Sequence, residues 1–182
     1  MKIFFILGAT CLLINSAYSQ NEVKQNILIG DHFGGGIVFY VEPNGQHGLI
    51  AAPKDQPDYA CWGFECWTYA NLMNDGKLNT DIIVKFMKKK KWMSRNAVPA
   101  ACMCDSLKFN GYDDWYLPSI NELKDMYDKQ NIIGDFIAGD YCSSTESNRN
   151  DALNIHFKPN KSIIFHYSKF SNSYNVRCIR KF

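Results

Sequence analysis

Six cysteines lie downstream of an N-terminal apolar segment, and an even cysteine count in an exported chain restricts it to folds that cross-links can close. Met1 to Ser19 reads as a secretory signal peptide. Lys2 is the positive n-region, Ile3 to Ile14 the apolar h-region, and Ala17-Tyr18-Ser19 a small-x-small cleavage site. No stretch approaches the roughly 20 apolar residues of a spanning helix. Cys11 follows Gly8-Ala9-Thr10, a poor lipobox, and belongs to the signal. The expectation is a signal at 1–19 and one domain over 20–182, secreted, periplasmic or held at the cell surface. Six cysteines remain in that domain: Cys61, Cys66, Cys102, Cys104, Cys142 and Cys178. Neither Cys102-Met103-Cys104 nor Cys61-x4-Cys66 has the C-x2-C spacing of a zinc knuckle, which favours disulfides over metal thiolates. The spacing leaves the connectivity open.

Periodicity predicts an α+β domain. Ile37 to Val41 and His47 to Ala52 flank Pro43-Asn44-Gly45, and Asn-Gly between β-rich runs is a hairpin signal. Residues 53–78 form a long loop rich in Trp and Tyr that holds Cys61 and Cys66, and such length needs internal packing or a covalent tie. A helix is predicted from Asn79 or Thr80 as cap, with Asp81 near its N-terminal dipole and an apolar stripe of Ile82, Ile83 and Phe86. Pro99 starts a second helix carrying Ala100, Ala101, Cys102 and Leu107. Ser119-Ile120-Asn121-Glu122 is a capping box after Pro118, opening a third helix through Leu123, Met126 and Tyr127. Strands are predicted over 141–145, 152–157, 162–167 and 174–179. No repeat or linker divides the chain.

The formal charge is only +2, which excludes a uniformly basic nucleic-acid binder. That total hides four blocks. Residues 20–84 sum to −5, residues 85–95 to +6, residues 105–146 to −6 and residues 149–182 to +6. The second block holds Lys85, Lys88, Lys89, Lys90, Lys91 and Arg95 beside Trp92. Cations at a helix C-terminus meet its dipole favourably, so a solvated helix end is the plain reading. The functional reading is an anion-binding patch, with Trp92 stacking on a sugar ring or on a lipid interface, or packed in the core. The patch widens if the C-terminal basic strands lie alongside.

Other chemistry is poorly supported. Ser143-Ser144 with His156 or His166 has no G-x-S-x-G elbow. Asp113, Asp114 and Glu146 lack the loop pattern of an EF-hand. Gly34-Gly35-Gly36 precedes a strand and is no phosphate loop.

The ordered blocks Gly35-Gly36-Ile37-Val38-Phe39-Tyr40, Gly48-Leu49-Ile50-Ala51-Ala52, Gly111-Tyr112-Asp113-Asp114-Trp115-Tyr116-Leu117-Pro118-Ser119, Glu122-Leu123, Ser143-Ser144-Thr145-Glu146 and Val176-Arg177-Cys178-Ile179-Arg180 resemble the Lcl C-terminal domain family. That family is named for the end domain of a Legionella collagen-like adhesin, and the chain is also similar to Fibrobacter major paralogous domains. The resemblance covers roughly 30–182. It implies a C-type-lectin-like α+β domain with N- and C-terminal strands in one antiparallel sheet and two to three helices. It makes Trp115, Tyr116 and Leu117 core residues, Pro118-Ser119 a helix start, Glu122 its cap, and Arg177 with Glu146 an ion pair. It implies a disulfide from the helix before the core block to the final strand, Cys102–Cys178, with Cys61–Cys66 and Cys104–Cys142 beside it. The family's adhesin binds sulfated glycosaminoglycans through basic surface residues. The lysine run is outside the shared blocks, and no collagen-like repeat is present. Glu42-Pro43-Asn44 matches a calcium tripeptide of sugar-binding C-type lectins but sits in the wrong turn, so no cofactor is expected and calcium has no recognised motif.

These readings lead to an expectation of an exported, non-enzymatic binding module for anionic glycans. Its partner would be an anionic polysaccharide or a host or cell-surface glycan. The alternative is a structural or protein-interaction domain of a surface assembly. A third reading, from the lectin-like formylglycine-generating enzymes, gives Cys102 and Cys104 a metal-binding redox role.

Overall fold

Along the chain run β1 (His32–Phe33), β2 (Gly36–Val41), β3 (Gly48–Ala51), α1 (Gly76–Lys89), α2 (Ala100–Asp105), α3 (Ile120–Asp128), α4 (Gln130–Ile133), β4 (Gly139–Glu146), β5 (Asp151–Lys158), β6 (Lys161–Ser168) and β7 (Ile179–Lys181). The computed structural model describes residues 26–63, 65–90, 98–158, 161–171 and 173–182, so the signal reading of 1–19 lies outside the described residues. The architecture is α+β, as the periodicity predicts. It has two antiparallel sheets, ordered β1-β2-β3-β7 and β4-β5-β6, in place of the single expected one. The difference is one of local pairing. β4, β5 and β6 are neighbours in sequence and close on each other by hairpins, whereas the short β7 crosses back to β3.

The Asn44-Gly45 turn forms as expected, with Gly45 at φ 67° in the left-handed region and β2 paired to β3. β7 enters this sheet through Leu49↔Lys181, Ile50↔Arg180 and Ala51↔Ile179, which joins the chain's two ends. The strand expected over 174–179 starts only at Ile179. Before it, Tyr174 and Val176 accept backbone bonds from Ala60 and Gln56, so this stretch lines the long loop instead of a sheet.

α1 begins earlier than Asn79 or Thr80. Asp75 is the cap, its side chain accepting from the Leu78 N–H at 3.1 Å. Asn79 and Thr80 are buried inside the helix and bind outward: Asn79 to both backbone groups of Leu72, Thr80 to both of Leu117. Asp81, expected at the dipole, pairs with Lys77 one turn back. The capping box of α3 is present in full, and Glu122 also accepts from Gly76 N–H at 2.9 Å and the Tyr116 hydroxyl at 3.1 Å. Burial pushes the Glu122 carboxyl above the usual range, while these donors pull it back. Gly76 is required here, because a Cβ would lie 2.5 Å from the Glu122 carboxylate and from Ser119 N.

Trp115, Tyr116 and Leu117 are all buried, and they alternate between two apolar clusters. Trp115 and Leu117 face Val38, Ile83, Met87 and Val176; Tyr116 faces Phe39, Leu123, Met126 and Phe157. Period-2 alternation in an extended stretch allows one tripeptide to seed both. Each such side chain contributes about 1.5–3 kcal/mol on burial. The second block docks on the first. Ser144 binds the Pro118 carbonyl through backbone and hydroxyl, Thr145 Oγ1 accepts from Ile120 N–H, and Ser143 Oγ donates to Leu153 O.

The disulfide joins Cys104, not Cys102, to Cys178. Two residues along a helix turn about 200°, so Cys102 and Cys104 face opposite sides of α2. Cys104 is the buried one, aimed at the final segment. The expected Cys104–Cys142 and Cys61–Cys66 bridges are likewise absent: Cys61, Cys66, Cys102 and Cys142 are free.

Candidate functional site

Three cations of the C-terminal basic block, Lys169, Arg177 and Arg180, are turned inward, while Arg149, Lys158 and Lys181 are exposed. Lys169 Nζ lies 2.6 Å from Glu146 Oε1, both side chains fully buried. Arg177 Nε lies 2.6 Å from Asp55 Oδ1, and its terminal nitrogens donate to the carbonyls of Ala52 and Asp135. Arg180 grips Asp114 with two bonds of 2.7 and 2.8 Å and stacks over Tyr112. The expected Arg177–Glu146 pair does not form, because each finds a nearer partner on a different loop. The acidic blocks are thus counter-charges to the C-terminal block, and Lys169, Arg177 and Arg180 do not widen any patch.

The lysine run behaves otherwise. α1 buries Ile83, Val84 and Met87 and turns Lys85, Lys88, Lys89 and Lys90 to solvent. Lys88 and Lys89 sit in the last turn, where the helix dipole favours cations. Lys88 has only a distant pairing with Asp105, 3.7 Å, and stays 76% exposed. Lys91, Trp92 and Arg95 lie outside the described residues. Lys90 lies 5.9 Å above the Phe86 ring and borders an open cleft of about 410 Å3, whose other walls are Glu65, Cys66, Phe86 and Phe170. Phe86 and Phe170 have no signal in the sequence as cleft residues, since the cleft they line joins segments far apart in the chain.

The loop that forms one wall is held from beneath by the Glu146–Lys169 pair. Glu146 Oε1 accepts from the Thr68 N–H at 2.8 Å and the Thr68 hydroxyl at 3.0 Å, and Oε2 accepts from the Tyr69 N–H at 2.8 Å. Lys169 Nζ also donates to the carbonyls of Cys66 and Arg149, and sits 4.7 Å from the Trp62 ring centre. One buried ion pair therefore fixes residues 66 to 69 against the end of β4. A buried charge this well hydrogen-bonded on every side is the condition under which burial is tolerated. Glu146 is thus structural, as the resemblance implies, but its partner is new.

No protein-family model and no curated protein matches this chain.

The catalytic alternatives lose their geometry. His156 pairs with Asp140, His166 bonds the Ser147 hydroxyl, and Ser143 and Ser144 bind backbone carbonyls, so neither Ser143 nor Ser144 meets a histidine. Cys104 is committed to Cys178, which removes it from any pair with Cys102. Burial pushes the Cys102 and Cys61 thiols up to about 11, and raises Cys142 as well, which holds all three as thiols at neutral pH. Among the described residues no group of three His, Cys, Asp or Glu side chains comes together to hold a metal ion. Among them, too, no helix is long and apolar enough to cross a membrane.

Proposed function

We propose that the chain is an exported, non-enzymatic binding module for anionic glycans, built on the C-type-lectin-like plan that its resemblance to the Lcl C-terminal domain implies. One observation carries this reading: Lys85, Lys88, Lys89 and Lys90 face solvent together, Lys90 at the edge of an open cleft, while Lys169, Arg177 and Arg180 of the other basic block are paired internally. Clustered exposed cations attract a polyanion, and the Phe86 and Phe170 rings beside Lys90 add apolar faces for sugar rings. Such binding is screened over about 8–10 Å at physiological salt, so it weakens as salt rises. Heparin chromatography tests it. Replacing Lys88, Lys89 and Lys90 by Ala should abolish retention beyond that of a charge-matched control. Unchanged retention removes the lysines from the site. The protein-interaction reading has support in β6, which among the described residues pairs with β5 alone and leaves Ile164 47% exposed at the sheet edge.

A further inference from the structure

On the face of loop 65–70 opposite its buried ion pair, two aromatic rings stand in solvent. Trp67 and Tyr69 are 47% and 71% exposed, while Thr68 and Ala70 between and after them are buried. Exposure alternates along 67–70, odd residues out and even residues in. The two rings are nearly parallel, 17° apart with centroids 6.1 Å from each other. Solvation does not explain them, since one Trp and one Tyr side by side expose a large apolar area that an ordinary surface would replace with polar groups.

The backbone is constrained to hold them there. Tyr69 has φ 65°, in the left-handed region that a bulky residue adopts only when its surroundings enforce it. The enforcement is visible: Glu146 takes the N–H groups of both Thr68 and Tyr69, and the Ala70 carbonyl accepts from Glu146 N–H at 2.7 Å. Strain held by a buried charge, at a position whose ring points to water, marks a pre-organised surface. Its rim is polar. Arg149 is exposed and fixed by one bond from Nε to the Glu65 carbonyl, with no other hydrogen bond from its guanidinium among the described residues.

We infer that Trp67 and Tyr69 form a stacking subsite for the apolar face of a pyranose ring, with Arg149 placed to bind its hydroxyl or acidic substituents. Two flat rings of this size, each offering roughly 150–250 Å2, match one or two sugar residues. A stable protein interface needs about 800 Å2 per partner, more than these two rings offer together. The inference shares with the reading above the premise that the ligand is a saccharide, but it does not depend on the lysines.

The experiment uses the intact chain, a heparin oligosaccharide and a glycan array containing neutral sugars. Trp67→Ala and Tyr69→Ala should each weaken saccharide binding about tenfold, with Trp67→Phe keeping most of it. The portion lost should persist in high salt, unlike the lysine contribution. Tyr69→Gly should hold or raise the thermal midpoint, by relieving the left-handed strain, and still weaken binding; a purely structural ring would lower the midpoint. Heparin binding unchanged in both Ala variants overturns the subsite and leaves the anionic-glycan reading standing. Neutral-sugar binding that needs Trp67, without heparin binding, supports the subsite and overturns the lysine reading. No saccharide bound at all overturns both.

Discussion

The two basic segments have the same formal charge, but three cations of one are used in the opposite way to the lysines of the other. In residues 149–182, three cations are drawn out of water, each matched to a carboxylate from an acidic block: Lys169 to Glu146, Arg177 to Asp55, Arg180 to Asp114. In residues 85–90, four lysines remain in water on the end of a helix, with a single long contact to Asp105. A buried cation sets the geometry of what surrounds it, and an exposed one sets the field that a ligand meets. Charge summed along a chain cannot separate these roles. Which residues are desolvated decides it.

The comparison breaks most visibly at Lys169. Lys169→Met leaves Glu146 buried without its counter-charge and should destabilise the protein by about 3–5 kcal/mol. Thermal or urea unfolding followed by circular dichroism reads this directly. Adding Glu146→Gln to that variant should recover part of the loss. A loss under about 1 kcal/mol would show that the pair is not the anchor of loop 65–70.

A smaller effect is expected at Asp114. Its bonds from the Arg180 guanidinium hold the carboxyl below the usual carboxylate range. The folded-state value is depressed, so the stabilisation is present above the unfolded value of about 3.9 and is lost as pH falls through the folded value. The side chain is 47% exposed, so the contribution is small, below about 1 kcal/mol. Asp114→Asn should flatten this part of the acid limb of a stability–pH curve; an unaltered limb assigns the slope to other carboxylates.

The smallest effect should come from the lysine run itself. Replacing Lys88, Lys89 and Lys90 together by Ala should change unfolding free energy by no more than about 0.5 kcal/mol, as for other surface positions. A loss well above that would make the lysines structural and erase the contrast between the segments.

Local chemistry was legible in the sequence wherever it was self-contained. Ser119 and Glu122 are three residues apart and cap one another, so the box forms as read, and the Asn44-Gly45 hairpin depends on two residues with the left-handed conformation in reach. The start of α1 was misread because Asn79 and Thr80 are good caps in isolation. Their side chains are used instead by Leu72 and Leu117, which only tertiary contact brings near. The choice of Cys104 over Cys102 turns on which side of a six-residue helix faces the core, and spacing alone does not reveal that. The partners of Glu146 and Arg177 join distant loops, and no spacing rule encodes them. Trp67 and Tyr69 do carry a signal in the alternation Trp-Thr-Tyr-Ala, submerged in a loop rich in other aromatic residues.

The Cys104–Cys178 bridge closes a ring of chain that contains α3, α4 and the whole of the three-stranded sheet. A peptide bond cut anywhere from 105 to 177 leaves two pieces that still travel together until a reductant arrives. A cut ahead of Cys104 has no such safeguard, and its fragments are held only by strand pairing and packing. The aromatic loop and the lysines come from the unsecured side, whereas Glu146 and Lys169 come from inside the ring. Proteolytic damage upstream of the bridge therefore threatens the aromatic loop and the lysines first, while leaving the Glu146–Lys169 anchor covalently intact.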